Sequence, residues 1–234
     1  MKSTPDQIRA RFDQLVEKFS NLETGQTTAI DSPLALELVA EAAAAASPGA
    51  TRLLDIGCGA GNYALKLLGK FPGANVTLVD LSAPMLERAH ARVQAATAGE
   101  VRTLQTDVRQ AELPTGAYDV IVAGAVLHHL RDDGEWEAVF RKLHAALAPG
   151  GSLWIFDLIE CDLPAVRPIL WGRYGDYLES LQGPEYRAGV LAYIEEEDSP
   201  RPLVYQLDLL RAVGFRGVEV LHKHLCFAAF GGVR

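Results

Sequence analysis

A glycine-rich stretch with the sequence LLDIGCGAGNYALKLL, residues 53–68, contains the first residues whose spacing suggests chemistry. Gly57, Gly59 and Gly61 lie between an apolar run that contains Asp55 and a segment with helical spacing. Glycine is favoured where the chain turns tightly or where another group must approach the backbone. The stretch therefore predicts a ligand-binding turn between a strand and a helix, or a close contact with the next helix.

The spacing of these glycines departs from both phosphate-binding patterns. The P-loop pattern G-x-x-x-x-G-K-[ST] is absent, and the dinucleotide pattern G-x-G-x-x-G fails at Asn62. Asp80 ends the next apolar run, 25 residues after Asp55. In dinucleotide-binding folds an acid at about 20 residues accepts hydrogen bonds from ribose. Asp80 is thus a candidate ribose ligand, with a cap on the helix near Ser82 as the alternative.

Two adjacent histidines, His128 and His129, follow the fourth predicted strand. One of them could accept a proton as a general base, or both could pack at the strand end. Metal binding is a further alternative, through these histidines with the acids at 132–133, or through His222 and His224, which share a strand face. Neither set has a complete metal-site spacing, so we predict no metal.

Composition limits the classes of partner. The net charge is −8, and residues 160–200 hold nine acids against three arginines. No basic surface for a nucleic acid is predicted, and no apolar run reaches the roughly 18 residues of a membrane helix. The first residues lack the apolar segment of a secretory signal, and the three cysteines form no C-x-x-C pair. We expect a cytoplasmic protein with a small-molecule substrate, and a homodimer is left open.

Apolar runs alternate with helical segments over about 110 residues, an order that defines the fold class. The runs are TRLLDI, ANVTLVD, VRTLQTD, YDVIVAG and SLWIFDLI. Continuous apolar strands separated by helices predict a doubly wound, mostly parallel α/β sheet with its ligand at the carboxyl ends of the strands. A helix over LVYQLDLLRAVGF and two further strands follow, and the short connection between these strands predicts an antiparallel pair.

All 234 residues are predicted to form a single domain. Residues 1–46 would form an N-terminal helical cap, with an amphipathic helix over 5–22 and a second helix over 33–46. Asp31 or Ser32 would cap the second helix.

Residues 160–205 interrupt the alternation between the fifth and sixth strands. Together with the N-terminal helix, this segment is expected to form a helical lid over the carboxyl edge of the sheet and to select the substrate. Its aromatic residues, Trp171 and four tyrosines, would line an apolar pocket or form the core of the lid itself. The acidic run at 195–198 is predicted to be a solvated face.

Five ordered motifs across about residues 50–160 resemble those of class I S-adenosylmethionine-dependent methyltransferases. They are LDIGCGAGN, VTLVDLSAPMLERA, TDV at 106–108, YDVIVAGAVLHHL and LAPGGSLWIFD. The resemblance implies a Rossmann-like sheet of seven strands with the last strand reversed, and S-adenosylmethionine as the cofactor.

The resemblance also implies roles for single residues. Asp80 would accept hydrogen bonds from the ribose hydroxyls. Asp107 would accept one from the adenine amino group, and the Val108 amide would contact the ring. Leu81 and Met85 would pack on the adenine. The implied cofactor-binding residues are Asp55, Gly57, Gly59, Gly61, Asp80, Leu81, Met85, Asp107, Val108 and Gly124.

At the methionine end of the cofactor, Gly124 would offer its backbone and Asp55 would assist the ammonium group. His128 and His129 are the candidate catalytic residues, because either could take a proton from an acceptor that has one to lose. The expected function is methyl transfer from S-adenosylmethionine to an unidentified small molecule.

The two ends of the chain, FDQLVEKFSNLETG and LLRAVGF…LCFAAFGG, are similar to the branch that contains the carboxy-S-adenosylmethionine synthases of tRNA modification. Those synthases carry a serine in the glycine loop, where this chain has GCGAG, and an arginine where it has Leu209. A methyl donor site on a related scaffold is therefore expected. Such a synthase, an NAD-dependent oxidoreductase and a non-catalytic binding protein are the alternatives, and Asn62 and the antiparallel end argue against the oxidoreductase.

Overall fold

The computed structural model describes residues 2–21 and 27–234. Its strands are β1 Arg52–Ile56, β2 Asn75–Asp80, β3 Val101–Gln105, β4 Tyr118–Gly124, β5 Leu147–Leu158, β6 Arg216–His224 and β7 Phe227–Val233. They form one sheet in the order β3-β2-β1-β4-β5-β7-β6. Strands β1 to β5 pair in parallel, and β7 runs antiparallel to both of its neighbours. The predicted α/β sheet with a reversed last strand is confirmed.

Helices of the described residues cover both faces of this sheet, and three of them precede its first strand in the sequence. They are α1 Pro5–Phe12, α2 Val16–Ser20, α3 Ser32–Ala46, α4 Asn62–Leu68, α5 Ala83–Gln94, α6 Asp133–Ala146, α7 Arg167–Gln182, α8 Pro184–Glu197 and α9 Leu203–Val213. Short 3₁₀ turns occur at Leu127–His129 and Pro164–Val166. Across residues 2–21 and 27–234, no helix has the length and apolar character needed to cross a membrane.

Side chains alternate across the sheet, so each strand contributes to two apolar cores. In β1, Leu53 packs in the cluster that contains Val39 of α3 and Leu67 of α4, whereas Leu54 packs in the cluster that contains Phe140 of α6. A sheet buried on both faces explains the continuous apolar runs of the sequence. It also holds the loops at the carboxyl edge in fixed positions.

The N-terminal segment differs from its prediction. Instead of one helix over 5–22, α1 ends at Phe12 and α2 starts at Val16, while residue 22 lies outside the described residues. The rings of Phe12 and Phe19 are 5.7 Å apart, centroid to centroid. In one continuous helix, seven residues rise by about 10.5 Å, so the break lets both rings meet over the sheet edge.

Residues 160–205 form α7, α8 and the start of α9. Trp171 and Tyr174 are buried in the same core as Phe227, and the Tyr174 ring meets Phe227 at 5.6 Å between centroids. Trp171 and Tyr174 therefore belong to the core that residues 160–205 share with the sheet, and not to a core of the lid itself.

The acidic run at 195–198 is only partly solvated. Glu197 and Asp198 are 1% and 6% exposed, so the prediction of a solvated face is wrong for these two residues. Each carboxylate is buried with cationic or histidine partners, described below, and such pairing is what makes burial of a charge tolerable. The pattern of four acids could not reveal partners that come from distant segments.

Candidate active site

A cavity lies at the carboxyl ends of β1, β2 and β4. Its wall comes from the loops that follow these strands, from the segment after β3, and from α1 and α2. The lining residues are Ile8, Phe12, Phe19, Gly57, Cys58, Gly59, Ala60, Asn62, Tyr63, Val79, Asp80, Leu81, Met85, Thr106, Asp107, Val108, Arg109, Gly124, Ala125, Val126, His129 and Leu130. Eight of the ten predicted cofactor residues are among them; Asp55 and Gly61 are not.

The glycines of the loop serve two purposes. Gly57 and Gly59 have φ angles of 64° and 51°, and a Cβ on Gly59 would meet no atom within 4 Å, so its backbone faces open space. A Cβ on Gly57 would lie 2.5 Å from a methyl group of Val126. Gly61 allows α4 to approach α5, since its Cβ would lie 3.1 Å from Val93. In this loop, Gly59 therefore leaves the backbone uncovered towards the cavity, and Gly61 allows close packing of two helices.

Asp80 fixes the glycine loop to the tip of β2. One carboxylate oxygen accepts the Gly59 N–H at 2.8 Å, and the other accepts the Ser82 N–H at 2.9 Å. The cap of α5 is Ser82, whose hydroxyl accepts the Met85 N–H at 3.3 Å. Burial raises the pKa of Asp80 above its ordinary value, and the backbone N–H donors oppose this rise. Asp80 is therefore not the helix cap, and its carboxylate stands in the cavity wall.

Asp107 follows β3, the strand next to β2, and is held there by Arg109. Its Oδ1 accepts from the Arg109 backbone N–H at 2.8 Å and from the guanidinium Nε at 2.9 Å. The guanidinium also bonds both carboxylate oxygens of Glu135 at 3.1 Å. Burial acts to raise the pKa of Asp107, but Arg109 outweighs it and the pKa is lowered. Asp107 is thus an ionised acceptor with a fixed orientation.

Two buried polar atoms behind the cavity lack a hydrogen-bond partner among the described residues. They are Asp55 Oδ1 and the Tyr63 hydroxyl. The other oxygen of Asp55 accepts the Ala64 N–H at 3.0 Å, and burial raises the pKa of Asp55 to about 8. Gly124 gives the Tyr63 ring its space, because a Cβ there would lie 2.3 Å from the ring. Such unpaired buried atoms are uncommon and indicate a missing partner.

The two histidines occupy different environments. His128 lies outside the lining, and its Nδ1 pairs with Asp157 while its Nε2 lies 3.7 Å from Asp198. Burial lowers the pKa of His128, but the two carboxylates outweigh burial and raise it to about 9. His129 lines the cavity, and burial together with the charge of His128 lowers its pKa. At neutral pH His128 is therefore charged and His129 is neutral.

Residues 2–21 form the roof of the cavity, where the N-terminal helix was expected to contribute to a lid. Ile8, Phe12 and Phe19 of this segment face the cavity. The roof is fastened to the end of α8, where Glu197 accepts hydrogen bonds from Ser3 at 2.7 Å and from Arg11 at 2.8 Å. No residue of 160–205, all of which are described, lines the cavity.

Asp157 and Asp198 are polar residues that the sequence reasoning did not assign. Asp157 is the second-last residue of β5 and so lies near a carboxyl end, as Asp80 does in β2, and this position was the available signal. It accepts the Leu127 N–H at 2.7 Å as well as the His128 ring. Asp198 approaches both histidines from the end of α8, at 3.3 Å from His129 Nδ1. No local pattern links Asp198 to the histidines.

The metal alternative that joined the histidines to the acids at 132–133 is not assembled. Asp132 caps α6 by accepting the Glu135 N–H at 2.9 Å, and Asp133 pairs with Arg201 at 3.0 Å. The strand pair His222 and His224 lies away from the cavity lining.

Comparisons with known proteins agree with the fold and the loop. Residues 53–151 match the family model described as a methyltransferase domain. An uncharacterized methyltransferase of Mycobacterium tuberculosis is 36% identical over 119 residues, which cover 51% of this chain and 55% of the relative. Trans-aconitate 2-methyltransferase of Paracidovorax citrulli is 41% identical over 107 residues, or 45% of this chain and 38% of the relative.

Human N-acetylserotonin methyltransferase, solved with S-adenosylmethionine, matches with a TM-score of 0.56 at 18% identity and covers 99% of this chain and 56% of that one. This likeness shows the fold. The chain spans less than two thirds of the length of each of these proteins. Residues 53–151 are therefore similar in sequence to a methyltransferase domain, and this segment contains the glycine loop, Asp80 and both histidines.

Proposed function

We propose that the protein is an S-adenosylmethionine-dependent methyltransferase that acts on a small-molecule acceptor and binds its cofactor in the cavity described above. The observation that carries the proposal is the Asp80 carboxylate beside the bare backbone of Gly59. Together they offer a charged acceptor and an unobstructed surface at the carboxyl ends of the strands, where ligands of open α/β sheets bind.

The ribose is assigned to Asp80 on hydrogen-bonding capacity. Each of its oxygens accepts one backbone N–H, from Gly59 or Ser82, and an ionised carboxylate has about four acceptor positions. Two acceptor positions of the Asp80 carboxylate therefore remain for the two neighbouring hydroxyls of the ribose. Bonds to a charged acceptor are roughly twice as strong as those between neutral groups.

The adenine is assigned to the wall formed by the ends of β2 and β3. Leu81, Met85 and Val108 offer apolar contacts there, and Asp107 offers an ionised acceptor for an amino group. Because Arg109 holds Asp107 in one orientation, little side-chain freedom is lost when the ring binds.

The methionine part is assigned to the side of β1 and β4. Tyr63 lines the cavity there, and the unpaired Asp55 Oδ1 lies behind the lining, where a water molecule would connect it to the ammonium group. A cation near Asp55 favours its ionised form and offsets the burial that raises its pKa to about 8. The residues present thus fit the cofactor at all three of its parts.

Bound S-adenosylmethionine supplies a methyl group on a positively charged sulfur. The chain contributes positioning, which is worth on the order of 7–11 kcal/mol in favourable cases. The apolar roof formed by Ile8, Phe12 and Phe19 excludes water from the cavity. The same apolar surface favours an acceptor with a hydrophobic body.

His129 is the proposed proton acceptor for substrates that have a proton to lose. It lines the cavity, and its lowered pKa keeps the ring neutral at pH 7. His128, charged between Asp157 and Asp198, is proposed to position His129, whose ring lies 4.3 Å away between centroids. A well-placed base contributes roughly 10²–10⁴-fold to rate.

The carboxylated cofactor of the related synthases is not favoured. Leu209 lies on α9, which packs against α6, β6 and β7, and its side chain packs against the core on that face. Leu209 lies outside the cavity lining and offers no guanidinium to a carboxylate.

The test is calorimetric titration with four ligands: S-adenosylmethionine, its demethylated product, the carboxylated analogue and NAD. We expect the first two to bind most tightly. In Asp80→Asn we expect their affinity to fall at least about tenfold, because hydrogen bonds to a charged group are worth about 1.5–3 kcal/mol.

Asp208→Asn is the matched control, because the same change is made to an exposed carboxylate on α9. Tightest binding of NAD, or unchanged affinity in Asp80→Asn, would contradict the proposed site. Incubation of the protein and a labelled methyl donor with fractionated metabolites then identifies the acceptor.

A further inference from the structure

A cluster of two imidazoles and one carboxylate lies outside the cavity lining, on the edge strand β6. Asp31 Oδ2 is 2.9 Å from His222 Nε2 and 2.7 Å from His224 Nδ1. The three ligand atoms all lie within 4.8 Å of one another. His222 and His224 face the same side because side chains alternate along a strand.

The backbone of Asp31 is unusual for a helix cap. Asp31 occupies the N-cap position of α3, yet its side chain accepts no hydrogen bond from the helix and points to the two imidazoles. Its φ is 60°, in the left-handed region that non-glycine residues rarely adopt. Such conformations persist where the surroundings impose them, and they gather at ligand sites.

The cluster is accessible to an ion from solvent. The side chains of Asp31, His222 and His224 are 34%, 21% and 46% exposed. By contrast, His128 and His129 are buried, and His128 already pairs with Asp157. In the strand cluster, the two imidazoles pair with Asp31, which is itself a candidate ligand, so an ion would replace hydrogen bonds within the cluster.

We propose that Asp31, His222 and His224 bind a divalent transition metal ion of the Zn²⁺ class. Imidazole nitrogen and carboxylate oxygen are ligands that Zn²⁺ takes, and three protein ligands leave a fourth position for water. With metal–ligand bonds of about 2.0–2.2 Å, a tetrahedral site has ligand atoms about 3.3 Å apart. The two nitrogens need to move about half an ångström from the carboxylate oxygen, which side-chain rotation allows.

The metal would join the N-terminal part of the chain to the edge of the sheet. Asp31 follows a segment already held by α7, where Tyr174 and Tyr177 donate to the carbonyls of Thr28 and Thr27 at 2.9 and 2.7 Å. Asp31 is the N-cap residue of α3. An ion at the cluster would therefore hold the start of α3 against β6.

The experiment uses the full chain after treatment with a chelator. Calorimetry with Zn²⁺ is expected to give one ion per chain, and Co²⁺ is expected to give the visible absorption of a tetrahedral site. At a hundred times the dissociation constant, the midpoint of thermal unfolding is expected to rise by roughly 5–10 °C.

The variants His224→Ala and Asp31→Asn are expected to lower Zn²⁺ affinity at least about tenfold. Asp31→Asn keeps the size of the side chain and a hydrogen-bonding group, so it separates metal binding from the hydrogen-bonded cluster. His90→Ala, a change on α5, is the control and is expected to bind Zn²⁺ as the wild type does. Circular dichroism checks that each variant is folded. Absence of stoichiometric binding, or equal binding by Asp31→Asn, would overturn the proposal.

Discussion

The floor of the cavity and its roof are held in different ways. The floor consists of loops between strands and helices that are consecutive in sequence, and the sheet beneath it is buried on both faces. The roof, residues 2–21, is fastened by polar contacts to distant residues: Ser3 and Arg11 to Glu197, and the Ser3 carbonyl to Arg131 at 3.0 Å. The structure of the floor can therefore be predicted from local sequence patterns. The position of the roof depends on contacts between distant residues, which local patterns do not predict.

The two parts also differ in apolar burial. In α1 only Ile8 is buried, and α2 has no buried residue. In the floor, β1 is buried over four of its five residues. Segments with few buried apolar contacts open at low free energy. We therefore expect the roof to open while the floor stays folded, which would let a ligand enter and leave.

The largest effect is expected from Gly57→Ala in the floor. The new Cβ would meet Val126 at 2.5 Å, at a backbone position with φ of 64°. Left-handed strain and overpacking together cost about 2–5 kcal/mol of unfolding free energy. Urea unfolding measures this loss, and calorimetry is expected to detect no cofactor binding in the variant.

Gly49→Ala is the control for Gly57→Ala. Gly49 has φ of 82°, but a Cβ there would meet nothing within 4 Å, so it incurs the conformational cost alone. We expect this variant to lose less stability and to bind the cofactor normally. Equal losses in both variants would show that the close approach to Val126 has no importance.

The second prediction concerns His128. Its ring lies between Asp157 of β5, which belongs to the sheet under the floor, and Asp198, which follows the helix α8 that holds the roof. Its pKa is raised to about 9, since the two carboxylates outweigh burial. A histidine with a raised pKa adds stability below its unfolded pKa of about 6.5, and this stability is lost as the pH rises through 9. We expect a loss of about 2–3 kcal/mol between pH 6.5 and 9.5, measured by urea unfolding at four pH values.

The control for this pH dependence is His128→Asn. Asp55, whose pKa is raised to about 8, also makes the protein less stable as the pH rises towards 8, and the variant retains this contribution. The difference between the two curves therefore isolates His128. Parallel curves would contradict a charged His128 in the folded protein.

The smallest effect is expected from Glu197→Gln, which acts on the roof alone. The substitution replaces charge-assisted hydrogen bonds to Arg11 by neutral ones and lowers the free energy of roof opening by about 1–2 kcal/mol. Hydrogen exchange of α1 amides is expected to become roughly 5–30-fold faster, while exchange in β1 is unchanged.

Glu195→Gln is the matched control for the roof, because Glu195 belongs to the same acidic run but its side chain is 79% exposed. Its exchange pattern is expected to equal that of the wild type. If Glu197→Gln accelerated exchange in β1 as much as in α1, the roof and the floor would be one cooperative unit and the distinction would be wrong.

The parts that the sequence predicted are those governed by local rules. Continuous apolar runs between helical segments predicted β1 to β5, and the glycine spacing predicted a turn that leaves the Gly59 backbone uncovered. Asp80 could be identified as a wall residue because it ends a strand. The roles of the cofactor residues stay predictions that the titrations above test.

The remaining parts depend on tertiary contacts. A single amphipathic helix was predicted over 5–22, but the approach of Phe12 to Phe19 requires a break. The burial of Glu197 requires Arg11, which lies 186 residues away. Asp31 fits a capping pattern, yet its carboxylate faces two histidines near the other end of the chain. Contacts between residues so far apart in the sequence cannot be predicted from the local spacing of apolar and polar residues.

The position of β7 has a consequence for the order of assembly. Strand β6 meets the sheet only through β7, which lies between β6 and β5 although it comes later in the chain. During synthesis β1 to β5 can pair as they emerge, while β6 must wait for its successor before it has a neighbour. We therefore expect β6 to join this edge of the sheet no earlier than β7.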